Sequence, residues 1–343
     1  MSNITVVGID LAKEVFQLHG VDKAGNVLLK KKVYREGLIR YITKLPKCLI
    51  AIEACSSSHY WAREFMKAGH EVKMIAPQFV KPFVKSNKND ANDAEAIVEA
   101  VLRPNMRFVP IKTLEQQDMK LVHTLRNLAV KQRTELSNEI RGLLGEYGII
   151  LPKGINHVRK HLVVIINDMD NELTPDARIY FNELYEIFSY SDERVDSFDK
   201  KLKRLAQGDE RCQRLMKIEG FGPISATALV AAVGDAKTFK SGRSLSAWLG
   251  LVPKQHSSGG KTRLSGISKR GDVYLRTLLI HGARAVVKHC DNKLDDRNKW
   301  ISSKKSVNKN KAAVALANKN ARIAWVILTR GERYRPSQVN VAT

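Results

Sequence analysis

Short runs of apolar and β-branched residues, separated by turn residues, fill the first hundred positions of the chain. Alternation along 15–21 and a polar turn at 22–26 predict a hairpin, and the fully apolar runs predict buried strands. The predicted elements are, in order, strands 4–10, 15–21 and one that begins at 27, strand 49–53, helix 60–68, strand 71–75 and helix 90–102. This order predicts a mixed α/β layer, one sheet covered by helices, that ends near residue 110.

Leucine and isoleucine recur at three- and four-residue steps over 114–147 and predict one long amphipathic helix. The helix suits an arm that packs within its own chain, and it equally suits a coiled-coil dimerisation arm or a nucleic-acid-binding arm. The pattern over 150–195 is irregular, with Pro152 and Pro175, and predicts no defined element. A basic amphipathic helix is predicted over 196–205.

Helical patterns dominate the last third of the chain. Around Gly220-Phe221-Gly222 the order is helix, hairpin, helix, typical of a helix-hairpin-helix-like motif whose backbone N–H groups meet a phosphate. A purely structural turn between two helices is the alternative. Further helices are predicted over 226–233, 244–249, 273–288 and 312–328. The expected fold class is α/β plus α, with domains at 1–112 (mixed sheet), 113–205 (helical arm) and 206–343 (basic and mainly helical).

The charge of the chain changes this picture. The formal net charge is +23 and the isoelectric point is about 9.9, whereas the hydrophobic fraction of 43% is that of a globular protein. From Lys254 onward, 20 lysines and arginines face 5 aspartates and glutamates. Such a balance predicts a polyanionic partner held mainly by the C-terminal part.

The cysteines and the lengths of the apolar stretches indicate where in the cell the protein is expected. The four cysteines have no CxxC pairing and predict reduced, mostly buried thiols. No stretch approaches the roughly 20 apolar residues of a membrane span. We therefore expect a soluble, cytoplasmic protein that does not enter a membrane.

A polar run over 255–271 is the first candidate for chemistry. It holds Ser257, Ser258, a Gly-Gly step and a row of cations: Lys261, Arg263, Lys269 and Arg270. Cations suit a phosphate, and a serine hydroxyl held beside a phosphodiester could attack it. A solvated loop between helices is the alternative interpretation.

Four acids form the second candidate. Asp10 and Glu53 end apolar strands, and Asp90 and Asp93 lie three apart at the start of a helix, where they share a face. Such a set could hold one or two divalent ions, Mg²⁺ or Mn²⁺, on a scissile phosphate. Individually, Asp10 could be a strand-end cap, and Asp90 and Asp93 could be helix-start residues stabilised by the macrodipole.

The motifs around these acids and serines resemble those of a known family. Gly8-Ile9-Asp10, Glu53-Ala54 and the run from Lys88 to Ala94 resemble the Asp-Glu-Asp-Asp set of IS110-family transposases of the IS1111-like group. The runs 218–223, 247–253, 258–260 and 267–271 resemble the domain that carries their serine nucleophile. The resemblance implies an RNase H/RuvC-like N-terminal domain and an RNA-guided DNA recombinase that works at the ends of an insertion element.

The resemblance also implies roles for the residues. Asp10, Glu53, Asp90 and Asp93 would hold the metal, and Ser258, which directly precedes Gly259, would be the nucleophile, with Ser257 left as the ambiguity. Lys261, Arg263, Lys269 and Arg270 would stabilise the transition state. The implied partners are element and target DNA, a structured noncoding guide RNA, and further copies of the chain in a dimer or tetramer, with acidic and serine sites from different protomers.

Two other classes of function compete with this interpretation. A RuvC-type nuclease would hydrolyse branched DNA with the four acids alone and leave Ser258 as a loop residue. A non-catalytic nucleic-acid-binding protein would use only its basic surface. The acids argue against the second, because uncompensated carboxylates weaken attraction to nucleic acid.

Overall fold

The computed structural model of the chain describes residues 3–85, 90–293 and 295–334, with the side chains of Asp90 and Ala91 outside this description. These residues belong to two compact units, 1–113 and 114–343. The segment 113–205, expected as a separate arm, therefore lies almost wholly in the second unit together with the C-terminal helices.

A mixed sheet forms the first unit. Within the described residues its strands are β1 (Val6–Asp10), β2 (Val15–Val21), β3 (Val27–Tyr34), β4 (Leu49–Glu53), β5 (Glu71–Ile75) and β6 (Phe108–Val109). The order across the sheet is β3-β2-β1-β4-β5-β6, with β1, β4 and β5 parallel and the outer pairings antiparallel. The apolar runs of β1 and β4 pair in parallel at the centre of the sheet, where both faces of a strand are covered. The predicted mixed α/β sheet is confirmed.

Helices cover both faces of this sheet. They are α1 (Arg35–Thr43), α2 (Ser58–Lys67), α3 (Pro77–Val80) and α4 (Asp90–Val101). On one face α1 and α2 bury Leu38 and Phe65, and on the other α4 buries Ile97 against the strands. Helix α1 was not predicted, because its nine residues make only about two and a half turns, too few to establish a helical period.

The second unit is mainly helical, as predicted. Its elements are α5 (Leu114–Gly145), α6 (Ile155–Asn167), α7 (Pro175–Gly208), α8 (Glu210–Leu215), α9 (Pro223–Val233), α10 (Gly242–Trp248), β7 (Pro253–Ser258), β8 (Lys261–Ile267), α11 (Val273–His289), α12 (Asp296–Lys305) and α13 (Lys309–Arg330). Along the described parts of the chain, the helices all fall short of the length and apolarity that crossing a bilayer requires.

The segment 150–195, in which the irregular pattern placed no element, holds α6 and most of α7. Pro175 is the first residue of α7, and the Thr174 side chain accepts a hydrogen bond from the Ala177 N–H at 3.1 Å. Proline lacks a backbone N–H, but the N–H at the first helical position has no partner within the helix, so no hydrogen bond is lost there. The proline thus marked the start of a helix rather than an interruption.

A buried histidine ties α5 to α9 and α11. His123 is 4% exposed, and its Nε2 lies 3.0 Å from the Thr227 hydroxyl and its Nδ1 3.0 Å from the Tyr274 hydroxyl. Burial, and to a smaller extent the positive charge of Arg126, lowers the pKa of His123 to about 4. The neutral imidazole is therefore the form that the fold stabilises.

This lowered pKa predicts acid sensitivity. Because the unfolded histidine binds a proton near pH 6.5 and the folded one only near pH 4, stability falls as the pH drops through that window. We expect His123 to account for about 2 kcal/mol of lost unfolding free energy between pH 7 and pH 4.5. Urea titrations of wild type and His123→Gln at both pH values measure it. An equal pH dependence in the two proteins would contradict the assignment.

Candidate active site

Two carboxylates meet at one edge of the N-terminal sheet. Asp10 ends β1 and Glu53 ends β4, and the two strands are parallel neighbours with Ile9 opposite Ile52. The next residue of each strand therefore leaves the sheet at the same level, at the carboxyl edge where α/β sheets bind ligands. Both side chains are half-buried.

Helix α4 brings Asp93 to the same edge. A Cβ added to Gly8 would lie 2.5 Å from the Ala94 carbonyl oxygen and 2.7 Å from Val98 Cγ2, so a glycine is what lets α4 rest directly on β1. Asp93 immediately precedes Ala94 at this contact. A glycine inside an apolar strand signals such close approach, and the sequence carried this signal. The side chain of Asp90, the fourth predicted acid, lies outside the described residues.

The three carboxylates act on one another electrostatically. Burial raises the pKa of Glu53, and the negative charges of Asp10 and Asp93 raise it further. Oxygen donors under mutual repulsion suit a hard divalent cation, which would relieve the repulsion. Among the described side chains, which omit that of Asp90, no three acidic, histidine or cysteine residues come close enough to enclose one ion. The residues present fit a cation in the chemistry of their oxygen donors, and among the described side chains they do not form a cage around it.

Cys55 adjoins this site and was not singled out from the sequence. Its side chain is exposed, unlike those of the other three cysteines, and its Sγ lies 3.7 Å from the Leu11 carbonyl oxygen. Partial desolvation, and then the charges of Glu53 and Asp10, raise the pKa of its thiol to about 11. The thiol is therefore protonated at neutral pH and is a poor nucleophile.

The close packing at Gly8 gives a second prediction. Gly8→Ala would push α4 off β1, and we expect it to lower the unfolding free energy of the first unit by about 2–3 kcal/mol. It would also displace Asp93 and reduce activity. Gly37→Ala is the matched control: a Cβ there meets only Val33 Cγ1 at 3.8 Å, and alanine should stabilise α1 by about 0.5–1 kcal/mol. Thermal unfolding of both variants measures these changes. A Gly8→Ala variant as stable as wild type would contradict the contact between α4 and β1.

The polar run over 255–267 is a β-hairpin in the second unit, not the loop that its composition suggested. Strands β7 and β8 pair antiparallel, and Gly259 and Gly260 form the two-residue connection with φ of +53° and +74°. Positive φ at both positions is the requirement of a type I′ turn, whose twist matches the strands. The Gly-Gly step is thus a tight turn, and Ser258 is the last residue before it.

The hairpin register separates the two serines. Ser258 lies opposite Lys261 and His256 opposite Arg263, so these four side chains share one face, because alternate residues of a strand point the same way. Ser257 lies on the other face opposite Thr262.

The two hydroxyls also differ in their bonding. The Ser257 hydroxyl accepts from Gln255 Nε2 at 2.8 Å and donates to Thr262 Oγ1 at 3.4 Å. Within the described part of the chain, the Ser258 hydroxyl makes no side-chain hydrogen bond. Ser258 therefore combines a free hydroxyl with neighbouring cations, and Ser257 has neither.

A short basic loop, defined as residues 268–271, follows β8. Lys269 has a φ of +54°, one of two positive values among the described non-glycine residues. The loop backbone touches the end of α10 through Gly250 and Gly271, where an added Cβ would lie 2.0 Å from a carbonyl oxygen in each case. Buried Arg276, which sequence reasoning missed, donates to the Arg270 carbonyl at 3.1 Å. This backbone is held firmly, and both Lys269 and Arg270 stay exposed.

The turn at Gly220–Gly222 uses its backbone donors internally. The Phe221 N–H donates to the Ile218 carbonyl at 2.9 Å, and the Gly222 N–H donates to Ser225 Oγ at 2.9 Å. Gly220 packs against Gly282 of α11, where an added Cβ would meet backbone at 3.1 Å. These contacts give Gly220 a structural reason in the tight turn between α8 and α9, whereas a Cβ added to Gly222 would meet nothing within 4 Å.

Comparisons with known proteins identify the class of this site. Residues 212–299 match the model of the IS116/IS110/IS902 transposase family, and residues 7–149 match a transposase model named for the DEDD domain of IS110. The chain is 49% identical to a probable family 20 transposase of Pseudomonas aeruginosa, over 97% of this chain and 99% of that one. It is 46% identical to the transposase of the insertion sequence IS1111A from Coxiella burnetii, over 98% and 92%.

A third relative extends the set: the transposase of IS1328 from Yersinia enterocolitica is 41% identical, over 96% of this chain and 98% of that one. The mixed sheet with its edge of carboxylates and the basic helical unit are thus those of a transposase, an enzyme that processes DNA. The chain belongs to the IS116/IS110/IS902 family of insertion-sequence transposases.

Proposed function

We propose that the chain cuts and rejoins DNA at the ends of an insertion element with Ser258 as the nucleophile. The hairpin register carries this proposal, because it puts the free Ser258 hydroxyl on one face with His256, Lys261 and Arg263. Ser258 Oγ attacks a DNA phosphorus and gives up its proton to water or a neighbouring base. The bond from that phosphorus to a deoxyribose oxygen breaks, and this oxygen takes up a proton. No water is consumed, so the phosphoserine ester remains able to rejoin DNA.

The cations around the serine support this chemistry. Lys261 and Arg263 flank Ser258 on its face of the hairpin, and Lys269 and Arg270 project from the basic loop. Charge on the phosphate oxygens grows as the pentacoordinate transition state forms, and fixed cations stabilise it. The turn at Gly220–Gly222 enters the proposal as a structural turn, because its Gly222 N–H is already bonded.

The acidic edge is proposed to hold Mg²⁺ or Mn²⁺ through Asp10, Glu53, Asp93 and Asp90. The like charges that raise the pKa of Glu53 support this role. A bound divalent ion supplies positive charge to a phosphate oxygen of the substrate. The chain itself positions the carboxylates, through the register of β1 and β4 and the seat of α4 on Gly8.

The proposed partners of the enzyme are nucleic acids and further copies of the chain. We propose that a structured noncoding RNA guides the enzyme to donor and target DNA, and the net charge of +23 supports binding of both nucleic acids. We propose that the enzyme works in the bacterial cytosol as a dimer or tetramer that combines acidic and serine sites of different protomers. Leu121 and Leu128, 55% and 46% exposed on α5, support contact between copies along this helix.

A hydrolytic nuclease of the RuvC type is the second candidate, and the cluster of carboxylates favours it. In that case the acids act alone, water attacks the phosphorus, and Ser258 has no chemical role. The two candidates differ in one product, the covalent protein–DNA ester.

The deciding experiment looks for that ester. Purified protein is incubated with end-labelled element DNA, guide RNA and Mg²⁺, and the products are resolved on a denaturing gel before and after protease digestion. The proposed function predicts a retarded, protease-sensitive DNA band. Cleaved DNA without that band would make the enzyme a hydrolytic nuclease, and bound but uncut DNA would make it a non-catalytic binding protein.

A further inference from the structure

A large groove lies between the hairpin and the last helix of the second unit, away from the Gly-Gly turn. It encloses about 1510 Å³ and is lined by β8 near Leu264, by the start of α10, by Trp300 of α12 and by one side of α13. We call it the Trp300 groove. Its size exceeds the roughly 300–1,000 Å³ that suits a small ligand, which favours an extended polymer as occupant.

The lining of the groove is positively charged. Arg243 of α10 and Lys311, Lys319 and Arg322 of α13 line it, and the described lining contains no aspartate or glutamate. Across the described residues, none of these four cations forms an ion pair with a carboxylate. Other arginines of this unit are paired, as Arg133 is with Asp192 at 2.7 Å. Unpaired cations gathered in one groove indicate an anionic occupant.

The floor of the groove is aromatic and apolar. Trp300 is half-buried against the core, and the Lys319 ammonium lies 4.7 Å from the centre of its ring. Leu264 of the hairpin is 65% exposed beside it. A phosphate backbone alone gains nothing from such a floor, whereas an unpaired base stacks on an aromatic ring while its phosphates meet the cations.

The spacing of side chains on one face of α13 suits a single strand of nucleic acid that runs along the groove. Lys311, Ala315, Asn318 and Arg322 follow at steps of four, three and four, so they share a side of the helix. Between the two cations, the small side chain of Ala315 leaves room for a nucleic-acid backbone to approach. Phosphates spaced along a strand would meet cations spaced along the helix.

We propose that the Trp300 groove binds a single-stranded stretch of nucleic acid, in which an unpaired base takes the place of the Lys319 ammonium over the Trp300 ring and phosphates bind Lys311, Lys319 and Arg322. Binding in this groove requires neither the serine nucleophile nor the metal, so a binding assay tests it independently of cleavage. DNA and RNA share this chemistry, and the experiment separates them.

The test measures fluorescence anisotropy of labelled oligo-dT and oligo-rU strands of about 12 nucleotides, within the 4–16 nucleotides that a stacking groove covers. Trp300→Leu should weaken single-strand binding by on the order of tenfold and leave binding of a blunt duplex unchanged. Trp300→Phe keeps a stacking ring and should restore most of the affinity. A larger loss of oligo-dT than of oligo-rU binding in Trp300→Leu assigns the groove to DNA, and the reverse assigns it to RNA.

The cations are tested by the salt dependence. Lys319→Gln/Arg322→Gln should lower the slope of log affinity against log salt by about 1.4, the value for two single-strand phosphates. Lys299→Gln/Lys304→Gln is the matched control, since these exposed lysines of α12 do not line the groove, and its slope should stay at the wild-type value. Equal slopes in both double variants, or equal losses for single strand and duplex in Trp300→Leu, would overturn the proposal.

Discussion

Ser258→Ala should abolish the covalent protein–DNA adduct, whereas Ser257→Ala should retain it. The two residues are adjacent in the chain, yet the hairpin places them on opposite faces, and only Ser258 shares its face with Lys261 and Arg263. Removing a nucleophile typically costs on the order of 10⁴-fold or more in rate. The measurement is the yield of adduct and of cleaved DNA, at matched protein and DNA concentrations.

The two serine variants control for one another. Both sites are exposed and lie beside the same turn, so neither alanine should change folding or DNA affinity, which anisotropy measures independently. Ser257→Ala removes the hydrogen bonds to Gln255 and Thr262 and should cost only a few-fold in activity. Loss of the adduct in Ser257→Ala with retention in Ser258→Ala would reverse the assignment. Full cleavage by Ser258→Ala would support hydrolysis instead.

Glu53→Gln should destroy activity and at the same time raise the melting temperature in metal-free buffer. Folding buries Glu53 beside Asp10 and Asp93, and its raised pKa means that the charged form opposes folding above that pKa. The neutral amide removes this repulsion. Loss of a proposed metal ligand should lower the cleavage rate by on the order of 10²-fold or more. Cleavage assays and thermal melts on the same preparations measure both effects.

Added Mg²⁺ separates the metal role from a purely structural one. Wild type should gain melting temperature on titration with Mg²⁺, because binding to the folded state alone stabilises it. Glu53→Gln should gain less. Glu71→Gln is the matched control, an exposed carboxylate at the other end of a neighbouring strand, and should behave as wild type. A Mg²⁺ response of Glu53→Gln equal to wild type would remove Glu53 from the metal site.

Several elements could be predicted because their patterns are local. Strands β1 and β4 are apolar runs that each end in an acid, and α5 shows a helical period over many turns, so local pattern sufficed. Helix α1 is short, and the pattern over 150–195 is irregular, so the same rules missed α1 and the part of α7 before residue 196. The sequence pattern predicted the start of β3 at residue 27 but not its end, because lysines fill its exposed positions up to Tyr34.

The candidate site divides in the same way. The sequence alone determined the chemical types: acids after apolar strands, serines beside glycines and cations, and a charge suited to nucleic acid. Only the tertiary structure decided which of these groups meet, because strand register and helix seating depend on residues far apart in the chain. The pairing of β1 with β4 and the contact of α4 with Gly8 brought three acids together. Likewise, Ser257 and Ser258 are neighbours in β7 and point to opposite faces of the hairpin. Only the pairing of β7 with β8 shows which hydroxyl faces the cations.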